Sequence, residues 1–375
     1  MPNFIDRLSE KLTDHNKKRE LVATLIDKAQ SHEEALRSLV TDHWHAPLPD
    51  FGKIVRRPAY AVDGSRAVRH LANGAYLFVA QALIVGDCDG TRMEASDVDL
   101  RILPGNTDTA VVERYAGLMM HHLEVKLAQE HAKQMPKDSV IFLDGALYGQ
   151  LSSLYPLEEN PEDPLPDDVR DLPQTIVGCY TELFNTCTER NLFLVSVAKT
   201  SHEKMHARVW WDAKHPGRRI PREISDTELI YRWTERKAGH STPVMFGTHA
   251  EFRGSRRILF DYLKPMPAIV SFFVRLADYD DALRVDVPSI CLGRNELIGD
   301  VQSPRLTAPE EIIPALQVLV ADYGGLEVYN VMLYSVDHEV RLHQATMDEI
   351  YVSIIQSELG VPIPLDRSER RFHSM

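Results

Sequence analysis

SVIFLDGAL, residues 139–147, is the stretch on which the fold turns: an unbroken apolar run closed by Asp144-Gly145. A half-exposed strand would alternate apolar and polar residues, so this one reads as a strand covered on both faces. AYAVD (59–63) closes the same way, on Asp63-Gly64. Outward from these, AYLFVAQALIVG (75–86) and VDLRIL (98–103) read as two more strands between Gly- and Asp-rich turns. TDTAVVERYAGLMMHHLEVKLAQEHAK (107–133) then reads as a long helix, with Thr107 or Asp108 placed to cap its first turn. A helical 174–190 leads to a further buried strand, NLFLVSVAK (191–199), and IVSFFVRLA (269–277) and LRVDV (283–287) restore strand character later. The tail holds a helical stretch (308–322), a mixed segment (326–343) and a last helical run (345–358).

Strand, strand, strand, helix, strand, helix, strand is the order of a ribonuclease H-like α/β fold, a mixed sheet flanked by helices. Three parts are expected: an N-terminal helical arm over 1–45, a main domain over 55–345 interrupted by a basic insertion at 200–265, and a C-terminal helix and tail over 346–375. Within the arm, Phe4, Leu8 and Leu12, then Leu21, Leu25 and Ala29, recur at helical spacing. Between the two Asp-Gly strands and the next lies an exposed acidic loop, with five prolines and seven acids between 156 and 173.

At 375 residues, 44% apolar and 26% charged, the chain is of ordinary globular composition, which excludes disordered, collagenous and coiled-coil classes. No apolar run approaches the roughly 18 residues of a membrane span, and the first residues are charged where a signal peptide is apolar, so a cytoplasmic protein without a membrane partner is expected. Four cysteines without a C-x-x-C pair are read as reduced thiols. The net charge of −13 is unevenly spread: residues 199–264 hold 14 Lys/Arg against 8 Asp/Glu, a local +6, leaving −19 elsewhere. A basic surface on an acidic body suits a nucleic-acid partner. Lys199, Arg208, Arg218, Arg219 and Arg222 are the candidate backbone contacts, and Trp210 and Trp211, with Trp233, are the candidates to stack on unpaired bases.

In the assumed fold the two Asp-Gly strands lie side by side and parallel, so Asp63 and Asp144 meet in the crevice where α/β sheets place their sites. Adjacent carboxylates repel unless a cation lies between them. A pair of Mn²⁺ or Mg²⁺ ions about 3.5–4 Å apart, held by oxygen ligands, activates water and stabilises the leaving oxygen in phosphodiester hydrolysis. A third acid is expected from the long helix, where Glu113, Glu124 and Glu130 are available. Glu113 and Glu124 lie roughly 16 Å apart along the axis and cannot share one ion; Glu124 is favoured because it lies in the half that returns toward the next strand. Asp286, at the end of LRVDVP, is the fourth candidate. Lys199 would hold the scissile phosphate, and Tyr329 and His338 would serve the departing oxygen.

AVDGS (61–65), LEVKLA (123–128), VIFLDGAL (140–147), VSVAKTS (195–201) and FFVRLADYDDALRVDVP (272–288), in that order over about 55–345, resemble the NurA nucleases. The resemblance implies a Mn²⁺-dependent 5′ to 3′ exonuclease and single-strand endonuclease acting on DNA as a homodimer, docked on a HerA-type hexameric ATPase. It implies Asp63, Glu124 and Asp144 as metal ligands and Asp286 as a further active-site acid. The family's closing Tyr-Pro and Ala-His correspond here to Tyr329-Asn330 and the region of Asp337-His338, a departure from the pattern. The sequence has no P-loop, so ATP-driven motion must come from a partner. Two other readings are a non-catalytic translocase adaptor and a zinc protease. For the latter, HEKMH (202–206) matches the motif, with His215 or Glu223 as third ligand, but the following ARVWW reads as strand or loop.

Overall fold

A computed structural model describes residues 4–17, 30–88, 90–155, 166–220, 224–248, 262–360 and 365. Strands are β1 (Trp44–His45), β2 (Ala59–His70), β3 (Tyr76–Cys88), β4 (Thr91–Leu103), β5 (Val140–Asp144), β6 (Phe193–Ala198), β7 (Gly239–Ser241), β8 (Val244–Phe246), β9 (Ile269–Arg275), β10 (Leu283–Pro288) and β11 (Arg305–Leu306). The helices include α1 (Phe4–Lys17), α2 (Gln30–His43), α3 (Thr109–Ala132), α4 (Leu147–Ser152), α5 (Leu172–Arg190), α6 (Met205–Lys214), α7 (Asp226–Trp233), α8 (Ile313–Ala321), α9 (Val331–Val340) and α10 (Val352–Leu359).

Among the described residues one sheet runs β1-β7-β9-β10-β6-β5-β2-β3-β4, with β8 also on β9 and β11 on β8. β5 is parallel to β2 on one side and to β6 on the other, while β2, β3 and β4 form an antiparallel meander. This is the ribonuclease H-like arrangement the element order predicts. β5 and β6 are its central strands, which accounts for their unbroken apolar runs: VIFL and FLVSVA are buried throughout. One core lies between the sheet and α3 and α5, with Val62, Phe78, Tyr115, Ile141 and Tyr180 in it. A second lies beneath α8 and α9, with Ala61, Phe142, Val195, Leu316 and Val336.

Element boundaries differ from expectation in instructive places. β2 does not stop at Asp63-Gly64; it continues to His70, held by unbroken antiparallel pairing with β3. Only its parallel partner leaves, the last β2–β5 pair being Val62 with Leu143. β4 starts at Thr91 rather than 98, completing the same meander. Asp108 is the N-cap of α3, its carboxylate accepting from Ala110 N–H at 2.7 Å. The segment after HEKMH is helix α6 and not strand or loop. In the expected arm, α2 belongs to the body, with Leu36, Leu39 and Val40 buried, whereas Ile5 and Leu8 of α1 are exposed; Leu21, Leu25 and Ala29 lie outside the described residues. Most of the expected acidic loop lies outside them too. No described helix is long and apolar enough to cross a membrane.

Candidate active site

Where β5 parts from β2, the next residue on each strand is an aspartate. Paired positions on neighbouring parallel strands are about 4.8 Å apart and point to the same face, so Asp63 and Asp144 stand side by side. β5 leaves through Gly145, whose φ of +98° strains any side chain, while Gly145 N–H still donates to Val197 O at 3.0 Å. On β2, Gly64 does different work. A Cβ there would meet Glu124 Oε1 at 2.5 Å and Met120 Cγ at 2.7 Å, so the missing side chain is what lets the α3 carboxyl reach the strand. Asp63, Glu124 and Asp144 thus line one open cleft of about 470 Å³, together with Gly145 and Gln150.

Electrostatics in this cleft favour a bound cation. Burial and the neighbouring Asp144 push the Asp63 carboxyl up to about 7, against the opposing pull of Gly64 N–H, which it accepts at 2.8 Å. Glu124 is pushed well above the usual carboxylate range by burial, then by Asp63 and Asp144. Asp144 is also raised by burial, while Lys199 works in the opposite direction. Among the described residues no three His, Cys, Asp or Glu side chains already close on a single ion-sized point. The donor set nevertheless fits hard divalent ions: oxygen-only, buried, mutually repelling and short of counter-charge.

On the α9 side, Lys199 Nζ lies 4.0 Å from Asp144 Oδ2 and 3.6 Å from Asp337 Oδ2, and 5.1 Å from the centre of the Tyr329 ring. The Tyr329 hydroxyl is buried without a hydrogen-bond partner among the described residues. Burial, then Asp144, Asp337 and Asp63, push it well above the ordinary tyrosine value, so it stays a donor. Asn330, standing where the family has proline, caps α9 by accepting from Leu333 N–H at 2.8 Å. Sequence reasoning missed Asp337. The signal was there: Leu333, Val336 and Val340 form the buried stripe of α9, and 337 borders it whereas His338 is exposed.

Other expected residues are placed elsewhere. Asp286 is wholly buried within β10 and its oxygens are taken: Arg284 Nε donates at 3.0 Å, Ser271 Oγ at 2.5 Å and Tyr148 N–H at 2.9 Å. It serves as the counter-ion of buried Arg284, which also pairs with Glu203. Glu113 lies at the rim of the cleft, 3.6 Å from Arg66, and Glu130 is exposed. Trp210 and Trp211 are in the core and cannot stack on bases from there: Trp210 lies on His43 and donates to Thr242 O, and Trp211 donates to Arg218 O. Both indoles lie on the buried face of α6, with His206 and Ala207. Arg208, Arg218 and Arg219 are exposed; Arg222, like Glu223, lies outside the described residues. The zinc motif fails on geometry. His202 is exposed before α6 begins, Glu203 pairs with Arg284, and His206 is buried against Trp210, Phe246 and Phe273.

A family profile described as the NurA domain matches residues 57–370. The chain is similar in structure to the NurA nuclease from Sulfolobus solfataricus, with 15% identity over 96% of this chain and 98% of that one and a TM-score of 0.62. It is similar also to a NurA crystallised with manganese (16% identity, 91% and 98% covered, TM-score 0.54) and to a NurA bound to dAMP and manganese (16%, 93% and 98%, 0.54). Identities this low establish a common fold. No curated protein matches the sequence.

Proposed function

This chain belongs to the NurA-domain family, and from that premise we propose that it is a divalent-metal-dependent deoxyribonuclease with its active centre at Asp63, Glu124 and Asp144. The observation that carries the reading is the convergence at Gly64: a bare strand position admits Glu124 beside two aspartates that diverging parallel strands bring together. The relatives crystallised with manganese, one of them also with dAMP, support both the metal and the substrate class.

Asp63, Glu124 and Asp144 would hold Mn²⁺, or Mg²⁺, as a pair of ions. When bound, such ions polarise a phosphoryl oxygen and lower the pKa of water. The residues of the chain do the rest. Lys199, set between Asp144 and Asp337, presents its ammonium to a phosphate oxygen as a point charge. Tyr329, protonated and buried beside it, donates its hydroxyl to the phosphate or the departing oxygen. Asp337 fixes the ammonium from the α9 side. His338 lies on the exposed side of α9, and the role expected for it passes to the buried hydroxyl of Tyr329. Asp286 acts through Arg284 as a structural acid.

Exposed Arg208, Arg218 and Arg219 are the surface over which DNA would approach, Arg222 of the same basic stretch lying outside the described residues. Family membership further supports 5′ to 3′ digestion, a homodimer, and a HerA-type hexameric ATPase as partner in end resection or antiviral defence in the cytoplasm. The lack of a P-loop in the sequence is consistent with an external motor. Digestion of 5′- and 3′-end-labelled DNA with Mn²⁺, Mg²⁺ or EDTA, with and without such an ATPase, tests the proposal. Cleavage that survives EDTA would defeat it.

A further inference from the structure

Beside Lys199 runs a second groove, of about 360 Å³, lined by Thr200, Ser201, Ser225, Thr227 and Tyr231. Lys199 lines it too, so it begins where the scissile phosphate would lie. Its hydroxyls are held in place by the backbone. Ser225 Oγ accepts from Glu228 N–H at 3.3 Å as the cap of α7, and Ser201 Oγ accepts from Glu203 N–H at 3.4 Å. A hydroxyl oxygen that accepts still carries a hydrogen to donate, here toward a phosphate. Thr227 Oγ1 donates to Ser201 O at 2.7 Å and ties the loop after β6 to α7.

Tyr231 stands at the other end. It is 55% exposed, and the Arg236 guanidinium lies 5.3 Å from its ring centre. Two acids also line the groove, but each faces an arginine: Glu228 lies 2.6 Å from Arg232 and Asp281 lies 3.6 Å from Arg236. The groove therefore lacks the uncompensated negative charge of the carboxylate cleft and can take a polyanion.

We propose that this groove is a subsite for unpaired DNA leaving or approaching the scissile bond, with phosphates on Lys199 and the hydroxyls of Ser201 and Ser225 and a base stacked on Tyr231. The proposal rests on the nuclease reading and assigns the path of the unpaired strand to this groove, because only an unpaired base offers its face to a side chain. It also gives the basic insertion an aromatic contact that Trp210 and Trp211, being buried, do not provide.

The test is fluorescence anisotropy of the full chain in EDTA with labelled oligothymidylates of increasing length and a labelled duplex. Tyr231→Ala weakens binding of the long single strand by about tenfold, the loss of one stacked base. Tyr231→Trp restores it, and the duplex, whose paired bases cannot stack on a side chain, shows no such difference. Equal affinities of Tyr231→Ala and wild type for the long strand would overturn the subsite, as would equal losses for the single strand and the duplex. If wild type still shows Mn²⁺-dependent cleavage in that case, the nuclease reading stands without the groove; a wild type that neither binds nor cleaves DNA removes both.

Discussion

Asp63→Asn separates stability from catalysis. In the metal-free protein the Asp63 carboxyl is raised from 3.8 to about 7 by burial and by Asp144. A group raised on folding leaves the fold undisturbed below its unfolded pKa and costs stability increasingly as the pH rises from that value to the folded one, above which the cost is constant. Between pH 5 and pH 8 the fold therefore loses roughly 3 kcal/mol through this one group, because only the two units up to about pH 7 count, at about 1.36 kcal/mol each. Asparagine keeps the acceptor for Gly64 N–H but cannot ionise, so it escapes that loss. With an unfolding entropy of ~2.1 cal/mol/K per residue, a chain of this length moves its Tm by roughly 1.3 °C per kcal/mol. In EDTA the melting temperature of Asp63→Asn should thus rise above wild type by an extra ~4 °C between pH 5 and pH 8, while Mn²⁺-dependent cleavage is lost. Glu124 and Asp144 are raised by the same cause and push wild type the same way. Differential scanning fluorimetry across that range reads the effect directly. A variant less stable than wild type at pH 8 in EDTA, or a gap that does not widen with pH, would refute the electrostatic account of the cleft.

Gly64→Ala should lower cleavage roughly a hundredfold with an intact fold, because its Cβ, 2.5 Å from Glu124 Oε1, displaces that carboxyl; kcat beside a circular dichroism melt shows whether activity and fold part company. Arg284→Met leaves Asp286 buried without its counter-ion and should cost about 3–5 kcal/mol by denaturant titration. In Asp286→Asn the rise in Tm on adding Mn²⁺ should match that of wild type, and a lost rise would return Asp286 to the ligand set. Replacing Arg218 and Arg219 by glutamine should reduce the slope of log affinity against log salt by up to about 2. An unchanged slope would place the DNA elsewhere.

Much of the fold and part of the site were legible in the sequence. Buried central strands advertise themselves as apolar runs, which is why β5 and β6 could be found and why the aspartate after Leu143 stood out. The extent of β2 beyond Gly64 could not be seen, because residues 64–70 are held by cross-strand pairing and by few apolar side chains of their own. Asp286 shows the limit of reading acids one at a time: its partner Arg284 is two residues away on the same strand, but only the fold shows that Ser271 and Tyr148 complete its shell. Trp210 and Trp211 mislead for the opposite reason. Their basic neighbours describe the outer face of α6, while the indoles belong to its inner one. Asp337 and Tyr231 were available to a helical-wheel argument, one beside a buried stripe and the other away from it.

The central claim is best tested by counting ions. Titration of the full chain with Mn²⁺, followed by calorimetry and by loss of the free-ion electron paramagnetic resonance signal, should show two bound ions in wild type. In the Asp63→Asn/Asp144→Asn variant, still folded by its melt, that binding should disappear. Undiminished Mn²⁺ binding in the folded double variant would contradict the account.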